Sequence, residues 1–180
     1  MPKDLAERRL ESEEVFSGRL LKVRRDRVRL PDGNDALREY IRHPGAVAIV
    51  PLLDDGRVVL ERQFRYPVGQ VFIEIPAGKL EPGEDHLETA KRELLEETGY
   101  VAAEWGRLGL IHNAIGYSDE GIEIWEARGL ELRKQQLAEG EFLEVFTLPL
   151  AEALAMARDG RLTDVKTIVG LLWLDSLPGS

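Results

Sequence analysis

The chain has 180 residues, no cysteine, 43% hydrophobic residues and a formal net charge of -9, with 33 Asp+Glu against 24 Lys+Arg. That apolar fraction suits one packed domain, or one with an added subdomain, and the missing cysteine excludes disulfides, zinc–thiolate sites and thiol nucleophiles. The acidic balance argues against general binding to a nucleic acid backbone, although a divalent cation would still allow a phosphate substrate.

In chain order, residues 1–10 lack the apolar core of a signal peptide, and no later apolar run reaches transmembrane length. The expectation is a soluble cytoplasmic protein. Residues 14–30 read as extended, with Val15, Phe16, Leu20, Leu21, Val23, Val28 and Leu30 set among charges, and residues 31–33 mark a turn. Residues 45–51 form a short apolar strand. Residues 54–56 then turn into a strand at 57–60. Residues 71–75 alternate as a half-buried strand, with Glu74 opposite Ile73 and Ile75, in the site or in solvent. A helix is expected over 85–98, capped by Asp85 and stopped by Gly99, with Leu87, Ala90, Leu94 and Leu95 as its core stripe. Strands follow near 104–111, 121–127 and 141–148, then helices near 150–158 and 163–175. Strands dominate the first two thirds, which points to an α+β class or a helix–sheet–helix sandwich. His43, His86 and His112 have no metal-ligand spacing, so a histidine-rich metal site is not expected.

The chemistry concentrates on the mid-chain helix. Glu93 and Glu97 are four residues apart and share a face, with Glu96 beside them. Three carboxylates on so small a surface repel one another, and a cation removes that penalty. Oxygen-only ligands at this charge density suit magnesium or manganese rather than zinc or copper. Arg92 can pair with a carboxylate and hold it in place. Gly78 and Gly83, in the preceding loop, let the backbone approach an ion or a phosphate.

Gly78, Glu84, Arg92, Glu93, Leu94, Glu96, Glu97, Gly99 and Tyr100 occupy, in order, every position of a pattern that resembles the Nudix box. Tyr100 is an aromatic in an aliphatic slot. At residue frequencies near ~7%, chance agreement at the seven fixed positions is on the order of 10⁻⁸ per register. The resemblance implies a Nudix-like α/β/α sandwich with a mixed sheet. It also implies magnesium-dependent hydrolysis of a nucleoside diphosphate linked to another group, with manganese able to substitute. Glu93 and Glu97 would be the main metal ligands. Glu96 would be a further or water-mediated ligand, the Ala77 carbonyl an additional one, Glu84 a support and Arg92 the group that orients the glutamates.

Segments 42–47, 63–67, 74–78 and 140–145 extend the resemblance to the ADP-ribose pyrophosphatase branch. That branch implies a small N-terminal antiparallel β subdomain, here 1–40, ahead of a hydrolase domain at 41–180. The subdomain would cross to a second subunit, so a homodimer is expected. Phe16, Arg19 and Arg38 are candidates for the nucleoside contact, with Phe16 free to stack on a base or to lie in the core. Arg65 resembles an arginine that grips the substrate diphosphate. A late-loop glutamate would be the catalytic base or an extra ligand: Glu141 first, Glu139 second, with Glu144 also open. The expected partner is a nucleotide sugar, with neither nucleic acid nor membrane. ADP-ribose, split to AMP and ribose 5-phosphate, is the first choice. The resemblance departs at residues 110–120, which lack the proline usual in ADP-ribose-specific relatives, so GDP-mannose or another nucleotide sugar stays open. A non-catalytic ADP-ribose-sensing module is the alternative of another class, but the box is intact. An isoprenoid diphosphate isomerase would need the absent cysteine.

Overall fold

The computed structural model describes residues 4–177. The chain forms two compact units. One comprises the chain up to Pro44 together with Ala114–Glu120; the other comprises Gly45–Asn113 and the chain from Gly121 onward.

The first unit is an antiparallel meander of β1 (Arg8–Ser17), β2 (Lys22–Arg29) and β3 (Asp35–Arg42). The expected turn closes β2 onto β3. Gly33 takes φ +89°, and the Leu30 N–H donates to the Asn34 carbonyl at 2.8 Å. The first half of β1 and all of β3 escape an apolar-alternation reading, because charged side chains dress them. Arg25 lies between Glu13 and Glu39, and Arg27 between Glu11 and Asp35. Solvent screens these exposed pairs, so the backbone ladder carries the sheet.

The second unit holds β4 (Ala46–Pro51), β5 (Arg57–Arg65), β6 (Gln70–Glu74), β7 (Ala77–Lys79), α1 (His86–Glu93), a π turn (Leu94–Thr98), β8 (Tyr100–Ile111), β9 (Ile122–Leu132), β10 (Leu143–Pro149), α2 (Leu150–Asp159) and α3 (Val165–Asp175). One sheet runs β7-β4-β9-β8 and the other β10-β5-β6. β4 pairs parallel with β9 and antiparallel with β7, so the larger sheet is mixed. Every residue of β4 is buried, and its alternation divides the core in two. Val47 and Ile49 meet Ala90 and Leu94 of the box helix, whereas Ala48 and Val50 join Leu171 and Leu174 of α3. Helices therefore cover both faces, as the expected α/β/α sandwich requires.

Two differences from the sequence reading have clear causes. β8 and β9 are longer than expected: β8 starts directly after the Gly99 stop with the continuous run Tyr100–Ala103, which does not alternate, and β9 runs on past Arg128 and Gly129 to Leu132, which pairs with Tyr100. The box helix is α-helical only to Glu93; from Leu94 to Thr98 it widens into a π turn ended by Gly99 at φ +77°. Apolar spacing hardly separates the two helix types, and π turns concentrate at functional sites.

Ile49 is fully buried beneath the box helix. Ile49→Ala is expected to cost about 2–5 kcal/mol, read as a lower urea midpoint at unchanged slope.

Candidate active site

The box helix is anchored at both ends. The Asp85 carboxylate accepts from the Leu87 and Glu88 N–H groups at 2.9 and 3.3 Å, while Glu88 itself pairs with Lys91. At the other end the Gln135 side chain donates to the Glu97 carbonyl at 2.5 Å, and the Gln136 N–H donates to the Glu96 carbonyl at 3.0 Å. A helix terminus would otherwise leave these carbonyls without partners.

Between the anchors, Arg92 gathers the carboxylates. It donates to both oxygens of Glu84 at 3.0 Å, to Glu93 at 2.8 Å and to Glu96 at 3.2 Å. Glu93 packs on the backbone of β7 so closely that a Cβ on Gly78 would stand 1.8 Å from its carboxyl carbon. The box glycine thus leaves room for the box glutamate. Glu97 is buried, and one of its oxygens accepts from the Ala77 N–H at 2.8 Å. Glu97 is thus fixed to the N–H of the residue whose carbonyl is the candidate ligand.

The electrostatics show which charges lack compensation. Its hydrogen bonds to Arg92 hold Glu84 down at about 2. Burial pushes the Glu93 carboxyl up despite Arg92. Burial and then the charge of Glu61 push Glu97 well above the ordinary carboxylate range. Glu61, on β5, is raised too, by burial and by Glu74.

On the adjoining sheet, Glu74 is buried rather than in solvent. Arg65 grips it with two parallel bonds of 2.7 and 2.8 Å, and the buried Lys166 of α3 reaches it as well. Burial raises the Glu74 pKa, but the two cations outweigh it and hold the group below its ordinary value. Arg65 is close enough for its charge to act on Glu61 and to feel Glu97. Among the late-loop candidates, Glu141 is exposed and bonded to the Ala138 N–H at 3.3 Å, and its charge reaches Glu61, Glu93 and Glu97. Glu144 pairs instead with Arg62 at 3.1 Å, and Glu139 lies exposed on the loop. In the first unit, Phe16 and Arg19 are exposed, and Arg38 is paired with Glu7 at 2.5 Å.

The sequence reading missed two residues of this neighbourhood. Lys166 lies in an apolar helix and gave no signal. Glu61 did: it shares a strand face with buried Val59, where an apolar residue is the norm.

Among the described residues, no group of three or more His, Asp or Glu side chains is already disposed to hold a metal ion. Arg92 instead occupies Glu93 and Glu96. The donor set still fits a hard divalent cation. It is oxygen-only, Glu97 has one oxygen pinned by Ala77, and Glu61 has two oxygens with no partner.

The NUDIX domain model matches residues 42–168, which include all of this site in the second unit. The chain belongs to the Nudix family. Its N-terminal residues 7–41 match the nucleoside diphosphate sugar hydrolase N-terminal domain. The Nudix chain is 40% identical to a methanol dehydrogenase activator of Bacillus methanolicus, over 97% of this chain and 95% of the relative. It is 37% identical to an ADP-ribose pyrophosphatase of Bacillus subtilis (strain 168), over 96% and 94%. A crystal structure of an ADP compounds hydrolase superposes with a TM-score of 0.86 at 26% identity, covering 97% of this chain and 95% of that one.

Two outcomes follow from the charges. Glu61 and Glu97 keep their protons to higher pH in the folded chain than in the unfolded one. Above their ordinary value of 4.5 the folded state therefore binds more protons, and metal-free stability falls as pH rises. Glu74 and Glu84, whose values are lowered, act below that window. In EDTA the melting temperature is expected to be lower at pH 8.5 than at pH 6, with Glu97→Gln reducing the difference; a flat profile would contradict this. Separately, Lys166→Met removes one of the two cations on buried Glu74 and is expected to cost about 3 kcal/mol in urea denaturation.

Proposed function

We propose that this Nudix hydrolase splits the diphosphate bridge of ADP-ribose into AMP and ribose 5-phosphate, with magnesium as its cofactor and manganese able to substitute. The observation that carries the reading is the set of box carboxylates, with Glu93 and Glu96 gathered by Arg92 and buried Glu97 bonded to the Ala77 N–H. Glu93, Glu97 and the Ala77 carbonyl would hold the cation, with Glu96 as a further or water-mediated ligand. The cation supplies positive charge to the diphosphate oxygens and acidifies water. Arg92 and Glu84 fix the glutamates. Arg65, its Nε and Nη2 held by Glu74, would offer its Nη1 and its charge to the diphosphate.

The reaction is an in-line displacement. A water oxygen bonds to one phosphorus as the bond from that phosphorus to the bridging oxygen breaks. The bridging oxygen leaves on the other phosphate. Glu141 accepts the proton of the attacking water, and its charge already reaches the site. Glu139 is the second choice for this role.

The N-terminal match supports a nucleoside diphosphate sugar as the substrate class, and the B. subtilis relative supports ADP-ribose within it. The reading includes a homodimer formed through the 1–40 segment, whose sheet exposes Val15, Phe16 and Leu37. Phe16, Arg19 and Arg38 are its nucleoside contacts. Among the described residues no helix is long and apolar enough to cross a membrane, and the proposal places the enzyme in the cytoplasm.

Purified protein with magnesium is expected to release AMP and ribose 5-phosphate from ADP-ribose faster than it turns over GDP-mannose, UDP-glucose or diadenosine polyphosphates. Glu97→Gln, with its fold intact by circular dichroism, is expected to lower the turnover number by at least a hundredfold. A Glu97→Gln enzyme as active as wild type overturns the site. Tight ADP-ribose binding without turnover by wild type would show a sensor instead.

A further inference from the structure

Glu61 lies in the middle of β5 and is 1% exposed. Neither of its carboxylate oxygens has a hydrogen-bond partner. A buried carboxylate without a partner is costly, and apolar side chains of similar size would fill the position without that cost. Protonation does not satisfy the group either. A protonated carboxyl needs an acceptor, and neither oxygen has one.

The nearby cations are directed elsewhere. Arg65 grips Glu74, the cross-strand partner of Glu61, and Lys166 binds Glu74 and Asp164. The other charges that reach Glu61 are carboxylates. Glu74 and Glu141 act on it, and it is in turn the strongest charge acting on Glu97. Glu97 has one oxygen held by the Ala77 N–H. Two buried carboxylates, Glu97 from the end of the box helix and Glu61 from β5, thus share a region from which protein cations are diverted. Hard oxygen donors so arranged match a divalent cation.

We infer that Glu61 is a cation ligand from outside the box, holding a divalent ion jointly with Glu97 on the β5 side of the site. The inference rests on the reading of Glu97 as a metal ligand. It makes the site two-walled, with β5 closing on the ion that the box helix presents.

Manganese binding to the full chain, measured calorimetrically at fixed pH without nucleotide, tests it. Both Glu61→Gln and Glu61→Asp are expected to weaken manganese affinity at least tenfold. The first removes the charge, and the second retains it but withdraws the carboxylate by one methylene. Circular dichroism in EDTA checks that each variant is folded. Affinity within twofold of wild type for Glu61→Gln overturns the inference. Loss in Glu61→Gln with retention in Glu61→Asp shows a long-range field and overturns direct ligation. Should Glu61→Gln not fold, retained affinity in Glu61→Asp overturns it. Wild type that binds no manganese removes the metal site altogether. Loss in Glu97→Gln but not in the Glu61 variants leaves the box site standing and removes only Glu61.

Discussion

Uncompensated negative charge organises this site. Glu61, Glu74, Glu84, Glu93, Glu96, Glu97 and Glu141 share one region, in which Arg65, Arg92 and Lys166 pair with some of them. Arg92 pairs with the half-buried Glu84, Glu93 and Glu96, and Arg65 and Lys166 pair with Glu74. What is left is the buried pair Glu61 and Glu97: burial pushes both carboxyls upward, the charge of Glu74 adds to the rise at Glu61, and that of Glu61 to the rise at Glu97. Such a pair destabilises the chain alone, and the cation proposed between the two would relieve that cost.

The fold supplies rigidity where the charges need it. β4 is buried on both faces, so the sheet under the box helix cannot shift without disturbing both cores. β7 pairs with β4 and presents the Ala77 peptide to Glu97 and the open Gly78 to Glu93. The π turn at Leu94–Thr98 carries Glu96 and Glu97, while buried Leu94 keeps the turn tied to the core. The Gln135 and Gln136 bonds then hold the helix end against the chain that follows β9. The charged cluster thus rests on apolar packing rather than on its own pairing.

Much of this was legible in the sequence because helix spacing is periodic and local. The cap at Asp85, the stop at Gly99 and the shared face of Glu93 and Glu97 lie within one short segment, and so does Arg92. The two apolar tail helices and the core strand at 45–51 were equally plain. Residues brought together over long separations were harder. Lys166 meets Glu74 across 92 positions, and no local pattern in α3 announces a buried charge seeking a carboxylate. Whether Glu74 faced solvent or the site depended on that distant partner. β3 escaped because charged cross-strand partners interrupt the apolar alternation that marks a strand, and the outer end of β8 escaped because Tyr100–Ala103 is uniformly apolar rather than alternating. The π turn escaped because inserting one residue barely alters the apolar spacing.

The most direct measurement is anomalous diffraction from crystals soaked in manganese, with and without ADP-ribose. The account expects an anomalous peak within coordination distance of Glu93, Glu97 and the Ala77 carbonyl. Crystals that show no such peak even with nucleotide bound, with Glu93 and Glu96 still clasped by Arg92, would contradict it.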